Sequence, residues 1–156
     1  MSLALHPDLA ELSFLLGTWA GRGEGEWPGA EPFTYGEELR FEQVGDAFLV
    51  YAQRSWSLGD EEPIHLERGF LRPAAPGRVD LVLAHPIGVA EVAEGTVGDG
   101  VIEVASTSIS LSGTAKDVTD LRRRLEVDGD VLTYELHMAM RDIALTSHVR
   151  SRLARV

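Results

Sequence analysis

The chain has 156 residues, of which 44 % are hydrophobic, and its mean hydropathy is −0.03. This composition is typical of a folded globular protein rather than a disordered one, and we predict a single domain over residues 1–156. A formal net charge of −11 disfavours nucleic acid as a partner, and the absence of cysteine excludes disulfides, thiolate catalysis and cysteine-based metal sites.

The first predicted element is a short helix in HPDLAELSFLLG, residues 6–17. Pro7 and Asp8 are typical of a first helical turn, and Gly17 is expected to end the helix. Three leucines would share one face of this helix: Leu9, Leu12 and Leu16. The segment lacks the pattern of a secretory signal, and no later run is long enough to span a bilayer. We therefore expect a cytoplasmic protein that does not bind membranes.

Turn-forming sequences rich in glycine, proline and aspartate follow roughly every ten residues, a rhythm typical of all-β proteins. They predict ten strands, at residues 17–26, 33–43, 47–57, 65–73, 78–85, 88–97, 100–110, 116–127, 131–140 and 146–155. Ten strands without a second helix to cover a sheet are expected to close on themselves, because closure removes unpaired edges. The predicted fold is a closed antiparallel ten-stranded β-barrel with one short N-terminal helix.

Alternating polarity predicts which side chains face the interior of this barrel. In VLTYELHMAM the inward residues are Leu132, Tyr134, Leu136, Met138 and Met140. In FTYGEELRF they are Phe33, Tyr35, Leu39 and Phe41. Aspartates and glutamates are expected mostly on the outer faces. A barrel of this width leaves room for an interior ligand cavity.

The five histidines are the main candidates for chemistry, because the sequence contains no nucleophile elbow, phosphate loop or recognisable pair of catalytic carboxylates. His6 is interpreted as a cap of the first helix, and His137 is expected to point to solvent. His65 is expected at the rim of the barrel. His85 precedes Pro86 and is interpreted as a turn histidine. No two histidines have the spacing of a usual zinc site.

His148 lies in the last apolar stretch, ALTSHVRSRLARV. Regular alternation would place it on the same outer face as Arg150 and Arg152. The spacing of leucine and valine in this stretch would equally suit a helix. An exposed residue in a C-terminal strand and a ligand for a bound group therefore remain as alternatives.

The segment GTWAGRG suggests a plug at one end of the barrel, since glycines let a bulky neighbour such as Trp19 approach closely. With Gly17, Gly21 and Gly23, this tryptophan forms a G-x-W-x-G-x-G pattern that resembles the nitrobindin family of haem-binding β-barrels. That family is similar to the fatty-acid-binding proteins and lipocalins. The resemblance continues through GEGEWPG, FTYGEELRF, ERGFLRP, GVAEVAEGTV, SGTAK and HVRSRL, and so covers nearly the whole chain.

The resemblance implies one haem b per chain near the mouth of the barrel, with His148 as the axial iron ligand. The other residues that it places at the cofactor are Gly17, Trp19, Gly21, Gly23, Thr34, His65 and Lys116. Lys116 would pair with a propionate. Thr34 would need a bulge or a rim position, because alternation places it outside. The sequence departs from the family pattern at His85, where glutamine is more common, so a second histidine is expected near the rim.

The implied activity is the isomerisation of peroxynitrite to nitrate at a ferric haem, with nitric oxide as a further ligand of the same iron. No catalytic side chain is expected beyond the haem iron. The alternative is a carrier of a fatty acid or another small apolar ligand, in which Arg123 would meet the carboxylate. We expect a monomer or a weak homodimer.

Overall fold

In a computed structural model, which describes residues 2–156, a short helix precedes ten antiparallel strands that close into one barrel. Each strand pairs with its neighbours in sequence, and the first strand pairs with the last. The strands are β1 Gly17–Gly25, β2 Phe33–Gln43, β3 Leu49–Ser57, β4 Pro63–Ala75, β5 Arg78–His85, β6 Val89–Gly98, β7 Val101–Leu111, β8 Val118–Asp128, β9 Val131–Met140 and β10 Ile143–Arg155. The predicted ten-stranded closed barrel is confirmed.

The N-terminal helix, Pro7–Leu15, is a 3₁₀ helix. Its buried residues are Leu9, Leu12 and Leu15. The predicted Leu16 is only half-buried, because a 3₁₀ helix has three residues per turn and its buried face recurs at every third position. His6 caps the helix as predicted, since its Nδ1 accepts a hydrogen bond of 3.2 Å from the backbone N–H of Asp8. Among residues 2–156, no helix is both long and apolar enough to cross a bilayer.

Trp19 lies at the end of the barrel that this helix covers, and its side chain has no exposed surface. The indole Nε1 donates a hydrogen bond of 2.8 Å to the backbone carbonyl of Leu15. The guanidinium of Arg155 lies 4.1 Å from the centre of the Trp19 ring system, in a cation–π contact. The helix and Trp19 together close this end of the barrel, as predicted.

Strand β1 runs from the closed end to the opposite end, which we call the mouth. At the mouth, Gly25 pairs with Phe33 of β2 and with Val149 of β10. His148 directly precedes Val149 on β10 and therefore lies beside the end of β1. The first and last strands thus form a seam that connects the closed end to the mouth.

Candidate functional site

A cavity of about 220 Å³ lies inside the mouth half of the barrel. Its wall is mainly apolar, and six of its residues are Phe33, Ile64, Ile87, Leu136, Met138 and Met140. The predicted inward positions of both methionines are confirmed. Exposed residues such as Lys116 and Ile87 border the cavity, which therefore communicates with solvent at the mouth. The cavity suits a ligand that is largely apolar.

His148 reaches this cavity because β10 contains a bulge. Ser147 and Val149 pair with consecutive residues of β9, so His148 between them is an extra residue in the strand. His148 and Val149 consequently both line the cavity, whereas Arg150 is exposed. The alternation that placed His148 outside with the arginines is wrong for this reason. The helical alternative for this stretch is also wrong, since Ile143–Arg155 is a strand.

The ring of His148 is held by the chain segment that follows β1. Its Nδ1 lies 3.0 Å from the backbone carbonyl oxygen of Glu26, and the backbone N–H of Glu26 donates 2.8 Å to the carbonyl of His148. The rings of Trp27 and Phe33 pack edge-on against the imidazole at 5.3 and 6.3 Å. A carbonyl can only accept, so Nδ1 carries a proton, and in the neutral form of the ring Nε2 keeps a free lone pair. A neutral, oriented imidazole of this kind is a good metal ligand.

Below the apolar wall lies a buried charged network centred on Arg123. This guanidinium donates to both carboxylate oxygens of Glu91, at 2.6 and 3.0 Å, and lies 3.4 Å from Oε1 of Glu67. Its Nε also donates to the hydroxyl of Tyr134 at 3.2 Å. Burial alone would raise the pKa of Glu67, but Arg123 and the neighbouring imidazoles hold that pKa well below its usual range. Because Arg123 is already paired, it is not free to bind the carboxylate of a fatty acid.

Two histidines extend this network towards the mouth. His65 Nε2 lies 3.2 Å from His85 Nδ1, and His85 Nε2 lies 2.8 Å from Oε1 of Glu91. The His65 side chain is half-buried in the cavity wall, whereas that of His85 is only 5 % exposed. The rim position of His65 and the second histidine beside it agree with the sequence analysis. His85 is more than a turn residue, because its ring connects His65 to a buried carboxylate.

Glu37 is a third buried carboxylate on the inner face. It accepts hydrogen bonds from Gln53 at 2.9 Å and from Ser151 at 2.5 Å. Burial raises the pKa of Glu37 to about 7, against the opposing effect of these two hydrogen bonds. Nearby, the buried hydroxyl of Tyr35 has no hydrogen-bond partner within residues 2–156. An unpaired hydroxyl in the cavity wall is a natural contact for a polar edge of a ligand or for water.

The expectation that acidic residues lie mostly outside the barrel is therefore wrong for three glutamates: Glu37, Glu67 and Glu91. Glu37 has the same parity as Tyr35 and Leu39, so the inward pattern of β2 already included it. The set of inward residues predicted for β2 omitted Glu37 because charged residues were expected to avoid the core. That assumption fails where an arginine or a hydrogen-bonding side chain compensates the charge.

Residues 8–155 match the family described as "THAP4-like, heme-binding beta-barrel domain". The chain belongs to this family. The sequence is 48 % identical to peroxynitrite isomerase 2 of Mycobacterium marinum, over 99 % of each chain. It is 46 % identical to the peroxynitrite isomerase of Nocardia farcinica, over 99 % of this chain and 94 % of that protein. The resemblance to the nitrobindin family is thereby confirmed.

The fold of this THAP4-like barrel is also that of a solved relative. The crystal structure of Rv2717c from M. tuberculosis matches it with a TM-score of 0.91 and 45 % identity, covering 98 % of this chain and 99 % of the other.

The residues at the mouth fit the haem that the name of the family describes. His148 offers a neutral nitrogen with a free lone pair beside an apolar cavity, which is the donor that a haem iron accepts. Lys116 adds an exposed cation at the edge of the cavity, where an anionic propionate would meet it. The unpaired hydroxyl of Tyr35 provides a further polar contact on the wall.

Of the residues implied by the resemblance, the structure brings His148, His65 and Lys116 together around the cavity. Thr34 is exposed on the outer face of β2, as alternation predicted, and no bulge turns it inward. With His148 it borders a separate outer groove of about 290 Å³. Thr34 therefore shares this outer groove with His148 and does not face the cavity.

The glycine motif and Trp19 have a different place from the one that the resemblance implied. Gly17 and Trp19 lie at the closed end, and Trp19 is fully buried beneath the helix, so neither borders the cavity. A side chain at Gly21 would meet the backbone of Arg152. A side chain at Gly23 would meet the ring of Tyr35. These glycines make room for neighbouring parts of the barrel itself.

Proposed function

We propose that this protein binds haem through His148 and isomerises peroxynitrite to nitrate. The observation that carries the proposal is the bulge of β10, which turns His148 into the cavity while the carbonyl of Glu26 fixes its Nδ1 proton. The relatives from Mycobacterium and Nocardia named peroxynitrite isomerase support the same activity. When bound, ferric haem supplies a Lewis-acidic iron to the peroxynitrite anion.

The protein contributes a ligand, a cation and an enclosure. His148 provides its Nε2 lone pair, and its contacts with Glu26 and Trp27 hold the ring in one orientation. Lys116 attracts an anionic edge of the cofactor at the mouth. The mainly apolar wall surrounds the reacting anion on the sides away from the mouth, which favours rearrangement over escape. No side chain needs to act as a general acid or base.

This proposal includes nitric oxide as a second ligand and haem b as the form of the cofactor. It also includes His65 as a contact on the wall opposite His148. His65 supports it by lining the cavity with a half-buried ring. A monomer or weak homodimer in the cytoplasm stays our prediction. Light scattering of the purified protein measures the oligomeric state directly.

The test is a haemin titration of the haem-free protein, followed by stopped-flow mixing with peroxynitrite. We expect a Soret band at one haem per chain, faster decay of peroxynitrite and nitrate as the product. The variant His148→Ala is expected to bind haemin far more weakly, with little Soret band at one haem per chain, and to lose the rate enhancement. His137→Ala is the matched control, because His137 lies on the outer face of the neighbouring strand. Equal titration curves for the two variants would show that His148 is not the ligand.

A further inference from the structure

We propose that His65, Glu67 and His85 form a binding site for a divalent transition-metal ion on the inner wall of the barrel. This site goes beyond the proposed function and does not include His148, although it shares the wall residue His65 with that proposal. His65 Nε2 lies 3.2 Å from His85 Nδ1 and 3.5 Å from Glu67 Oε1, and the remaining pair, His85 Nδ1 and Glu67 Oε1, is 3.8 Å apart. Ligand atoms held about 2.1 Å from a tetrahedral ion lie about 3.4 Å from one another. The three donors therefore already stand at the separations that one ion requires.

The orientation of His85 is fixed from behind. Its Nε2 lies 2.8 Å from Oε1 of Glu91, and a carboxylate can only accept, so this nitrogen carries a proton. In the neutral form of the ring the opposite nitrogen, Nδ1, then presents its lone pair to His65 and Glu67. Glu91 is itself held by the two hydrogen bonds from Arg123. A carboxylate that orients a metal-binding imidazole in this way is the usual support of a protein metal site.

The orientation of Glu67 is fixed as well. The hydroxyl of Tyr51 donates 3.2 Å to its Oε2, which leaves Oε1 as the oxygen beside the two imidazoles. His65 and Glu67 are two positions apart on β4 and so point to the same face of the strand. His85 joins them from the neighbouring strand β5. The triad thus rests on two paired strands rather than on a loop.

The local charge favours a cation at this position. One guanidinium, Arg123, faces two buried carboxylates, Glu67 and Glu91, so with neutral imidazoles the cluster carries a net charge of −1. An uncompensated charge is costly in a buried environment. A divalent ion among the three donors opposes that negative charge directly.

The donor set also selects the kind of ion. Two imidazole nitrogens with one carboxylate oxygen suit Zn²⁺, Fe²⁺ or Co²⁺, whereas Mg²⁺ and Ca²⁺ prefer sites made of oxygen. Three protein ligands leave a further coordination position. Because all three residues border the cavity, that position opens into it and can take water or a small anion.

The test is a titration of the haem-free, untagged chain with Co²⁺, whose visible absorption reports coordination, followed by displacement with Zn²⁺. We expect one Co²⁺ per chain, no competition by Mg²⁺, and a weakening of more than about tenfold in His65→Ala and in His85→Gln. The glutamine at position 85 keeps a donor for Glu91. His148→Ala and His137→Ala are expected to bind Co²⁺ as the unaltered chain does.

Three outcomes would overturn the site. They are the absence of stoichiometric Co²⁺ binding, unchanged affinity in His65→Ala, and loss of binding in His148→Ala. Circular dichroism verifies that each variant is folded. If His85→Gln does not fold, His65→Ala decides alone, since the side chain of His65 is 26 % exposed and its removal leaves the core intact. Failure of the haemin titration described above would leave this result unaffected, because the Co²⁺ test is decided by His65 and His85, whereas the haemin test is decided by His148.

Discussion

The closed end and the mouth of the barrel are built from different kinds of residues. At the closed end, Trp19 and the helix leucines form an apolar plug, and the side chain of Arg155 donates to the carbonyls of Phe14 and Leu16 at the end of the helix. At the mouth, three buried glutamates, two interior histidines and a strand bulge surround an open cavity. The indole N–H of Trp19 in the plug has a hydrogen-bond partner. The Tyr35 hydroxyl near the mouth has none within residues 2–156.

This difference indicates that the two ends have separate tasks. Apolar burial with paired polar atoms stabilises the fold, whereas buried charge and an unpaired hydroxyl are costly and are retained where a ligand binds. Substitutions at the closed end should therefore change the free energy of unfolding and leave ligand binding intact. Substitutions at the mouth should change ligand binding, and should change stability chiefly through the buried charges there.

The largest effect on stability is expected for Trp19→Ala. Removing this fully buried ring should lower the free energy of unfolding by about 3–5 kcal/mol, through lost burial and the cavity left behind. Chemical denaturation measures this change. Haem stoichiometry should stay at one per chain wherever the variant remains folded. An unchanged denaturation midpoint and slope would show that Trp19 is not a plug.

Glu37→Gln should remove a pH dependence of stability. The pKa of Glu37 is raised from 4.5 to about 7 in the folded protein, so the folded state binds the proton more tightly than the unfolded chain does. The contribution of this group to stability is thus complete below pH 4.5 and is lost as the pH rises through 7, by about 3 kcal/mol in total.

Denaturation of the unaltered chain and the variant between these pH values measures that loss. We expect the stability difference between the two proteins to grow with pH in favour of Glu37→Gln. Glu42→Gln is the matched control, because Glu42 is exposed on the same strand. Parallel pH profiles for all three proteins would contradict the raised pKa.

His148→Ala should separate binding from stability. Loss of the proposed axial ligand is expected to weaken haem affinity by about 100-fold, which corresponds to about 2.7 kcal/mol. The haem-free variant should unfold within about 0.5 kcal/mol of the unaltered chain, because the ring is only half-buried. A large loss of stability in the haem-free variant would mean that the mouth also holds the fold together.

A smaller effect on haem affinity than that of His148→Ala is expected for Trp27→Ala, which also gives the sharpest contrast in stability with Trp19→Ala. Trp27 is half-buried and packs edge-on against His148, so its removal should change stability by about 1 kcal/mol, the size of one aromatic contact. Haem affinity should fall several-fold, because His148 loses one of the rings that orient it. Equal destabilisation by both tryptophan substitutions would contradict the proposal that the closed end stabilises the fold and the mouth binds the ligand.

The barrel could be predicted from the sequence because its signals are local. Each turn is marked by glycine, proline or aspartate, and alternation is visible within a single strand. The plug could be predicted for the same reason, since Trp19 and its glycines are close together in the sequence. The one error in the helix, Leu16 for Leu15, arose from assuming a wider turn than a 3₁₀ helix has.

The site was harder to predict because its parts come from distant strands. Glu67, His85, Glu91 and Arg123 lie on β4, β5, β6 and β8, so no local pattern reveals that they pair. His148 was predicted as a haem ligand by resemblance alone. A bulge changes which residues face inward, and no residue type in the strand indicates it. The sequence therefore predicts regular strands better than the irregularities on which the site depends.

The seam between β1 and β10 has a consequence for the order of events during synthesis. His148 is oriented by Glu26, a residue 122 positions earlier in the chain. A nascent chain that still lacks β10 has no partner for the free edge of β1 and no oriented imidazole. Barrel closure and the orientation of the His148 ring are consequently one step.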